Sequence, residues 1–436
     1  MKFLRYIGVA LAIGTMTACS IDEVYKTQLD QEVVYNTSEG YKGLINACYE
    51  NIYYLYGKED GIPMMEMGDL WTNGSSTSGA WKECVNNYEW NTETGVNKVV
   101  WDTTFYLLAG KMYAIFATLF GLSFYIQHDN QAQKGIDFRP RFAWRMVLLM
   151  LFGLFDLLFF NGDILFLYAV CGILTIPLIR ASDKVILAFA IFLGLQPIEL
   201  AYIAAGLIDP SIPVLNLGSG ACWGALAEAQ ANGSIIDVAI AGLRYGLPVN
   251  FLWATENGRM TQTVFLFLVG IYLGRRRLFY NEGNNLAVWK KILIASASSL
   301  LVLVPAYHLV PGNIEIKCVD KAVTVLLNMW KNFAMMSVII SGTVLLFYRT
   351  SASSWLIKIA PYGRMSLTNY LGQSIFGAML FYNWGFGLYR VCGHTVSWLM
   401  GVAFIALQYL FCRWWLRNHK RGPFEELWRR GTWICG

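Results

Sequence analysis

The residues best suited to chemistry lie inside the most apolar stretches of this chain. Arg145 opens the run RMVLLMLFGLFDLLFF, and Asp156 lies within that run, eleven residues later. A short turn that ends at Asp163 leads into a second apolar run, which extends to residue 179. Runs of this length predict two membrane helices joined as a hairpin. Because a carboxylate at mid-membrane depth costs roughly 2.5–3.5 kcal/mol on insertion scales, Asp156 is predicted to be functional.

Three further charges lie in or near apolar runs, at Lys111, Glu199 and Lys331. Charged residues at such depth usually pair with one another or line a wet cavity. Asp156 or Glu199 with Lys331 would form a reasonable ion pair. Asp163, Glu199 and Lys331 are therefore predicted to bind substrate. The alternative is that the lysines extend to the membrane surface and the carboxylates lie close to an interface.

A third group of polar residues lies in the late run APYGRMSLTNYLGQS. Arg364 is expected at a cytoplasmic mouth. Asn369 and Gln373 are four residues apart, so they share a helix face and need partners inside a bundle. All three are predicted substrate-binding residues. Further on, the run RGPFEELWR predicts an amphipathic basic and aromatic tail that rests on the inner leaflet.

The composition places these residues in a membrane protein. Of the 436 residues, 56% are apolar and only 14% are charged, whereas about 25% are charged in a typical soluble domain. Residues 1–104 contain 14 Asp and Glu against 7 Lys and Arg, and the remainder contains 27 Lys and Arg against 15 Asp and Glu. This change predicts a domain boundary near residue 104.

Several kinds of site are not predicted. The nine cysteines show no paired spacing, so neither a metal site nor a redox motif is indicated, and no phosphate-binding or dinucleotide-binding motif predicts a cofactor. The basic residues flank apolar runs rather than forming a patch, which argues against nucleic acid as a partner. The expected partners are the lipid bilayer and a small-molecule substrate of unknown identity.

The first 19 residues have the layout of a secretion signal, with a basic start, an apolar centre and small residues before Cys19. The sequence MTAC at 16–19 resembles a bacterial lipobox, which implies lipidation of Cys19. An ordinary signal peptide that happens to contain a cysteine is the alternative. Either pattern predicts that residues 20–104 lie outside the cytoplasm.

Residues 20–104 contain one predicted amphipathic helix, which begins near Ser38, and scattered tryptophans at Trp71, Trp81 and Trp90. The sequences CSIDE, LDQEVVYNTSEGYKGLINACYENIYYLYG and DLWTNGSS resemble the amino terminus of SusD/RagB outer-membrane lipoproteins. That family holds glycans at the cell surface beside a TonB-dependent transporter. The helical repeats that build its glycan site do not follow here, so glycan contact is not expected of this segment.

The remainder, residues 105–436, is predicted to be an all-α, polytopic transmembrane bundle of about nine helices. The apolar runs lie at about 105–126, 146–160, 163–179, 184–207, 261–274, 289–310, 322–347, 365–388 and 395–416. Every second loop is basic, which predicts an inner-membrane protein with a cytoplasmic carboxyl terminus. The long outer loop at 209–260 is expected to form either a lid over the bundle or an interfacial helix.

The motifs GRMSLTNYLGQS and GPFEELWR, with GDILFLYAVCG and KMYAIFATLFGLSF, resemble the YeiB-like integral membrane family, domain of unknown function family 418, over about residues 105–433. The resemblance implies a membrane protein with suggested transport activity, related in fold to membrane acyltransferases that modify sugars. The family's opening helices are replaced here by the lipoprotein-like segment. Those acyltransferases have an Arg, then ten intervening residues, then a His on one helix, whereas this chain has Asp156 at that spacing after Arg145.

Three hypotheses of function follow. The first is a transporter of a small metabolite. The second is a membrane acyltransferase acting on envelope glycans, with Asp156 and Arg145 as catalytic residues. The third is that a SusD-like fragment and a membrane protein have been joined in a non-functional or misassembled fusion, which sequencing of source DNA across the boundary near residue 104 tests.

Overall fold

Helices connected by short turns make up the part of the chain that the structure, a computed structural model, describes, namely residues 95–433. No strand occurs within these residues, so the predicted all-α class is confirmed there. The predicted signal peptide, Cys19 and the SusD-like segment up to residue 94 lie outside the described residues.

Sixteen α-helices occur between residues 95 and 433, together with short 3₁₀ turns and one π-helical turn, Gly242–Gly246. They are α1 (Gly95–Leu108), α2 (Lys111–Ala132), α3 (Arg139–Asp156), α4 (Leu165–Thr175), α5 (Asp183–Gly194), α6 (Pro197–Ile208), α7 (Ser219–Asn232), α8 (Ile235–Ala241), α9 (Leu247–Glu256), α10 (Arg259–Arg275), α11 (Asn285–Leu309), α12 (Lys317–Arg349), α13 (Ser353–Arg364), α14 (Ser366–Phe381), α15 (His394–Asn418) and α16 (Pro423–Thr432).

Five helical segments of the described chain are long and apolar enough to cross a membrane, and six if the pair α5 and α6, bent by 45°, counts as one span. The predicted number of nine therefore stays a prediction. Residues 209–260, expected to form a lid or an interfacial helix outside the bundle, contain the helices α7, α8 and α9. Ile235–Glu256 is continuous helix that meets the length and hydropathy of a span, although Gly242 and Arg244 interrupt its apolar sequence.

The centre of the bundle is the contact between α2 and α10, which approach closely because each presents a glycine. A methyl group on Gly121 would overlap the carbonyl oxygen of Phe267, and one on Gly270 would overlap that of Thr118. Small residues of this kind let membrane helices pack backbone against backbone. Aromatic rings surround the contact, with Phe120 stacked on Phe267 at 4.9 Å between ring centroids.

The carboxyl-terminal helix α16 packs against α3 and α14, which joins the two motifs GRMSLTNYLGQS and GPFEELWR in space. The Glu425 carboxylate accepts hydrogen bonds from the backbone nitrogen of Thr368 at 3.0 Å and from its hydroxyl at 2.5 Å. Trp428 donates to the carbonyl oxygen of Arg145 at 3.2 Å. On the exposed side of α16, the hydrogen bond from Arg429 lowers the pKa of Glu426 to about 2.

We predict that Gly270→Ala weakens the bundle, because the added methyl group forces α2 away from α10. Overpacking of this kind costs about 1–3 kcal/mol. The matched control is Gly342→Ala on α12, where a methyl group meets no atom within 4 Å. Thermal unfolding in detergent should show a lower Tm for the first variant only. Equal Tm values for the two variants would contradict the close approach of α2 and α10.

Candidate functional site

The turn after α3 brings two carboxylates together inside the bundle. Asp156 ends α3 and is 1% exposed, and Asp163 is 2% exposed. Asp163 lies against α3 one turn before Asp156, since a methyl group on Gly153 would lie 2.7 Å from Asp163 Oδ2. The acidic turn of the predicted hairpin is therefore buried, whereas α3 and the short α4 are not among the described helices that are long and apolar enough to span a membrane.

The two carboxylates differ in their partners. Asp163 accepts hydrogen bonds from the backbone nitrogens of Leu165 at 3.0 Å and Phe166 at 2.9 Å, and from the Tyr370 hydroxyl at 3.3 Å. Neither oxygen of Asp156 has a hydrogen-bond partner. Asp163 thus holds the start of α4, whereas Asp156 has no structural role that its contacts explain.

Two polar side chains of α14 lie close to Asp156. Tyr370 and Ser374 of α14 face it without reaching hydrogen-bond geometry. Asn161 is 2% exposed, and neither its amide nitrogen nor its amide oxygen has a partner. None of the ion pairs within residues 95–433 involves Asp156, Glu199 or Lys331, so the suggested pairing of Lys331 with Asp156 or Glu199 does not form there.

Two cavities meet at Tyr370, which lines both. The first has a volume of about 430 Å³ and is lined mainly by apolar and aromatic side chains of α2, α3, α4 and α14, with Arg145 among them. The second, of about 420 Å³, is lined by Phe160 and by α14 residues that include Gln373 and Ser374. Tyr370, which bonds Asp163, therefore borders two spaces that a small molecule could enter, although neither Asp156 nor Asp163 lines them.

Arg145 is held at the first cavity by the tail helix. Its guanidinium lies over the ring of Trp428, 4.3 Å from the centroid, and its buried Nε has no hydrogen-bond partner. Eleven residues separate Arg145 from Asp156 on α3, which corresponds to roughly 16 Å along the helix axis. The two predicted catalytic residues share one side of α3 but are not brought together.

A second polar region forms where three helical segments are interrupted. Gly110, Gln196 and Gly258 have φ angles of 78°, 55° and 65°, and they precede α2, α6 and α10. Gln196 Nε2 donates to the Gly258 carbonyl oxygen at 3.1 Å. A methyl group on Gly110 would lie 3.3 Å from Arg259 Nη2. We call this meeting point, formed by Gly110, Gln196 and Gly258, the helix junction.

Two predicted site residues lie at or beside the helix junction. Glu199 is 5% exposed, and its Oε1 would lie 2.8 Å from a methyl group on Gly258. Lys331 is 6% exposed, with its ammonium 3.2 Å from the centroid of the Tyr307 ring. It immediately precedes Asn332, whose amide packs against Gly110.

Sequence analysis missed Arg259, because it took the apolar run of α10 to begin two residues later. Nη1 of Arg259 donates to Oε1 of Gln262 at 3.0 Å, and its guanidinium lies 5.0 Å from the Tyr113 ring centroid. Gly258 could have indicated this site in the sequence. A glycine directly before a basic residue and an apolar run is typical of a break between two helices.

The polar residues of the run APYGRMSLTNYLGQS form hydrogen bonds between neighbouring segments of the chain. Arg364 donates to the carbonyl oxygen of Lys420 at 2.9 Å, and Asn369 donates to that of Tyr362 at 3.0 Å. Gln373 donates to Gln408 Oε1 at 3.0 Å. Of the three predicted residues, only Gln373 also lines a cavity, and it lines the second one.

Comparisons with known proteins agree with a membrane protein of the YeiB-like kind. The family model described as Protein of unknown function (DUF418) matches residues 273–435. The chain is 26% identical over 342 residues to Uncharacterized protein YxaH of Bacillus subtilis, an alignment that covers 76% of this chain and 81% of that protein. It is 27% identical over 350 residues to Uncharacterized protein YeiB of Escherichia coli, covering 76% and 84%. No solved structure matches the chain.

We predict opposite effects on stability from removing the two carboxylates. Asp163→Ala deprives the start of α4 of its acceptor and should cost about 0.5–2 kcal/mol, as the loss of a helix cap does. Asp156→Asn removes a buried charge that has no partner, so the protein should be at least as stable as before. Thermal unfolding in detergent measures both. If Asp156→Asn lowered the Tm as much as Asp163→Ala does, Asp156 would be shown to stabilise the fold.

Proposed function

We propose that the protein is a membrane transporter of a small metabolite, which binds at the helix junction. The observation that carries this proposal is the meeting of three interrupted helices, at Gly110, Gln196 and Gly258. In membranes, irregular backbone is tolerated where it is buried in protein or lines a cavity, and interrupted helices form the substrate sites of many transporters.

In this proposal Asp156 and Asp163 bind a coupling proton. Two adjacent buried carboxylates cannot both be charged in a membrane without a cation, and intramembrane carboxylates of this kind form proton relays. The hydrogen bond from Tyr370, which lines both cavities, to Asp163 supports a path for the proton to the carboxylates.

A chain of contacts joins the carboxylates to the helix junction. Helix α4 begins at the residues that Asp163 holds, and about one turn later its Tyr168 hydroxyl donates to the carbonyl oxygen of Tyr113 at 2.8 Å. The Tyr113 hydroxyl donates in turn to the carbonyl oxygen of Arg259 at 3.2 Å. A shift of α4 on proton binding would therefore move the side chains that border the junction.

We also propose an inner-membrane location with a cytoplasmic carboxyl terminus. The alternation of basic and non-basic loops along the sequence supports it. Reactivity of Cys435, kept as the single cysteine of a variant whose other cysteines are replaced, towards an impermeant reagent in intact and in permeabilised cells tests this orientation. Labelling in intact cells would overturn it.

Acyl transfer is the second candidate, because the apolar cavity of about 430 Å³ beside Arg145 suits an acyl chain. It is the weaker one. Arg145 and Asp156 are about three helical turns apart, and none of the four histidines of the chain lines either cavity. Purified protein that binds no common acyl donor would exclude it.

We predict that Asp156→Asn and Glu199→Gln abolish solute movement without preventing membrane insertion. Proteoliposomes are transferred into iso-osmotic solutions of individual sugars, amino acids and organic acids, and swelling is followed by light scattering. The wild type should swell in solutions of at least one class. Glu228→Gln is the matched control, since this exposed carboxylate bonds only to Asn232 within the described chain.

The two variants fail for different reasons. Asp156→Asn loses the group that binds the proton, whereas Glu199→Gln changes the charge at the junction itself. Wild-type swelling rates in both variants would overturn the proposed function, as would the absence of swelling in every solute for protein that is folded and inserted.

A further inference from the structure

The helix junction has an excess of buried positive charge. Lys111 is 3% exposed and Lys331 is 6% exposed, and Arg259 lies between their helices, beside Gly110. Lys111 is close enough to both other cations for the like charges to repel. Glu199 adds one negative charge, which leaves the junction positive. None of these four residues takes part in an ion pair within residues 95–433.

Hydrogen-bond donors at the junction are also left over. The guanidinium of Arg259 uses one nitrogen to bond Gln262, and this is its one hydrogen bond to the described residues. Gln262 is 2% exposed, and its amide nitrogen has no partner. A buried donor without an acceptor costs about 1–3 kcal/mol in a protein, so an acceptor from elsewhere would be favourable here.

Two helices begin at these same residues. Lys111 is the first residue of α2 and Arg259 the first of α10, each preceded by a glycine in the left-handed region, and neither helix has a side-chain cap. The first backbone N–H groups of a helix have no intrahelical acceptor, and the helix dipole favours negative charge there. In transporters, the amino-terminal ends of interrupted helices bind anionic groups of substrates.

We infer that the helix junction binds an oxyanion, a carboxylate or a phosphate, held by Arg259, Lys111 and the amide of Gln262. The guanidinium offers the planar, two-pronged contact that such groups prefer, and the ammonium of Lys331 adds charge without direct contact. This inference rests on the proposed function, since it names the chemical class of the transported metabolite.

The test is thermal unfolding of the purified full chain in detergent, titrated separately with sodium phosphate and sodium acetate at constant ionic strength. We expect a saturable rise of Tm with at least one of them, because a ligand that binds the folded state stabilises it. Saturation with phosphate alone identifies a phosphorylated substrate, and saturation with acetate alone identifies a carboxylic acid.

Variants assign the binding to the junction. Arg259→Gln should weaken binding about ten- to a hundredfold, which corresponds to the loss of a charged hydrogen bond. Arg259→Lys should bind with intermediate affinity, because a lysine keeps the positive charge but cannot make the planar, two-pronged contact of a guanidinium. Arg276→Gln is the control at the other end of the same helix, where the side chain is exposed and pairs with Asp183, and its affinity should match the wild type.

If Arg259→Gln does not fold, Gln262→Leu replaces it, with an expected loss of about two- to tenfold. A rise of Tm that does not saturate, or that is equal in the wild type and in Arg259→Gln, would overturn the anion site, because such a rise reflects exclusion of salt from the protein surface. Swelling in a neutral solute without anion binding would overturn this inference alone. Saturable anion binding without any solute movement would overturn transport alone.

Discussion

The cost of leaving polar groups unpaired in a membrane is the constraint on which this structure depends. Many polar side chains of the described residues meet it by bonding to one another or to the backbone, as Asn369 does with Tyr362 and Gln373 with Gln408. Two of the places that do not meet it are the regions described above. The carboxylate oxygens of Asp156 have no hydrogen-bond partner. At the helix junction, the positive charges have no ion-pair partner within residues 95–433, and the amide nitrogen of Gln262 has no acceptor. Because each such group costs stability, its retention points to a role outside the fold.

The close contact of α2 with α10 decides where the junction lies. Gly121 and Gly270 allow the two backbones to touch, and this brings Gly110 at the start of one helix against Arg259 at the start of the other. A larger residue at either glycine would separate the helices and move the two helix ends apart. The close packing of α2 against α10 and the concentration of charge at the starts of these two helices therefore depend on the same small residues.

The sequence predicted the helical class and the buried carboxylates, because apolar runs and charges within them follow directly from the cost of insertion. It did not predict the fate of Arg364 and Asn369. Their motif is distinctive, yet they join α13, α14 and α15 instead of lining a cavity, and only tertiary contacts reveal this. Arg259 was missed for the opposite reason. Its position at the edge of a short apolar run is ordinary, and its importance comes from Gly110 and Gln262, of which Gly110 is far away in sequence.

The proposed transport depends on the contacts that connect the carboxylates to the helix junction. Asp163 holds the first turn of α4, so neutralising the adjacent Asp156 changes the repulsion that acts on the end of this helix. Within the first turn of α4, the Tyr168 hydroxyl is bonded to the backbone of Tyr113 near the start of α2. A proton at the carboxylates and an anion at the junction would thus act on opposite ends of the series of contacts that runs through the first turn of α4 and Tyr113. Each would stabilise the position of α4 that favours the other, and such reciprocal coupling is what moving a charged metabolite with a proton requires.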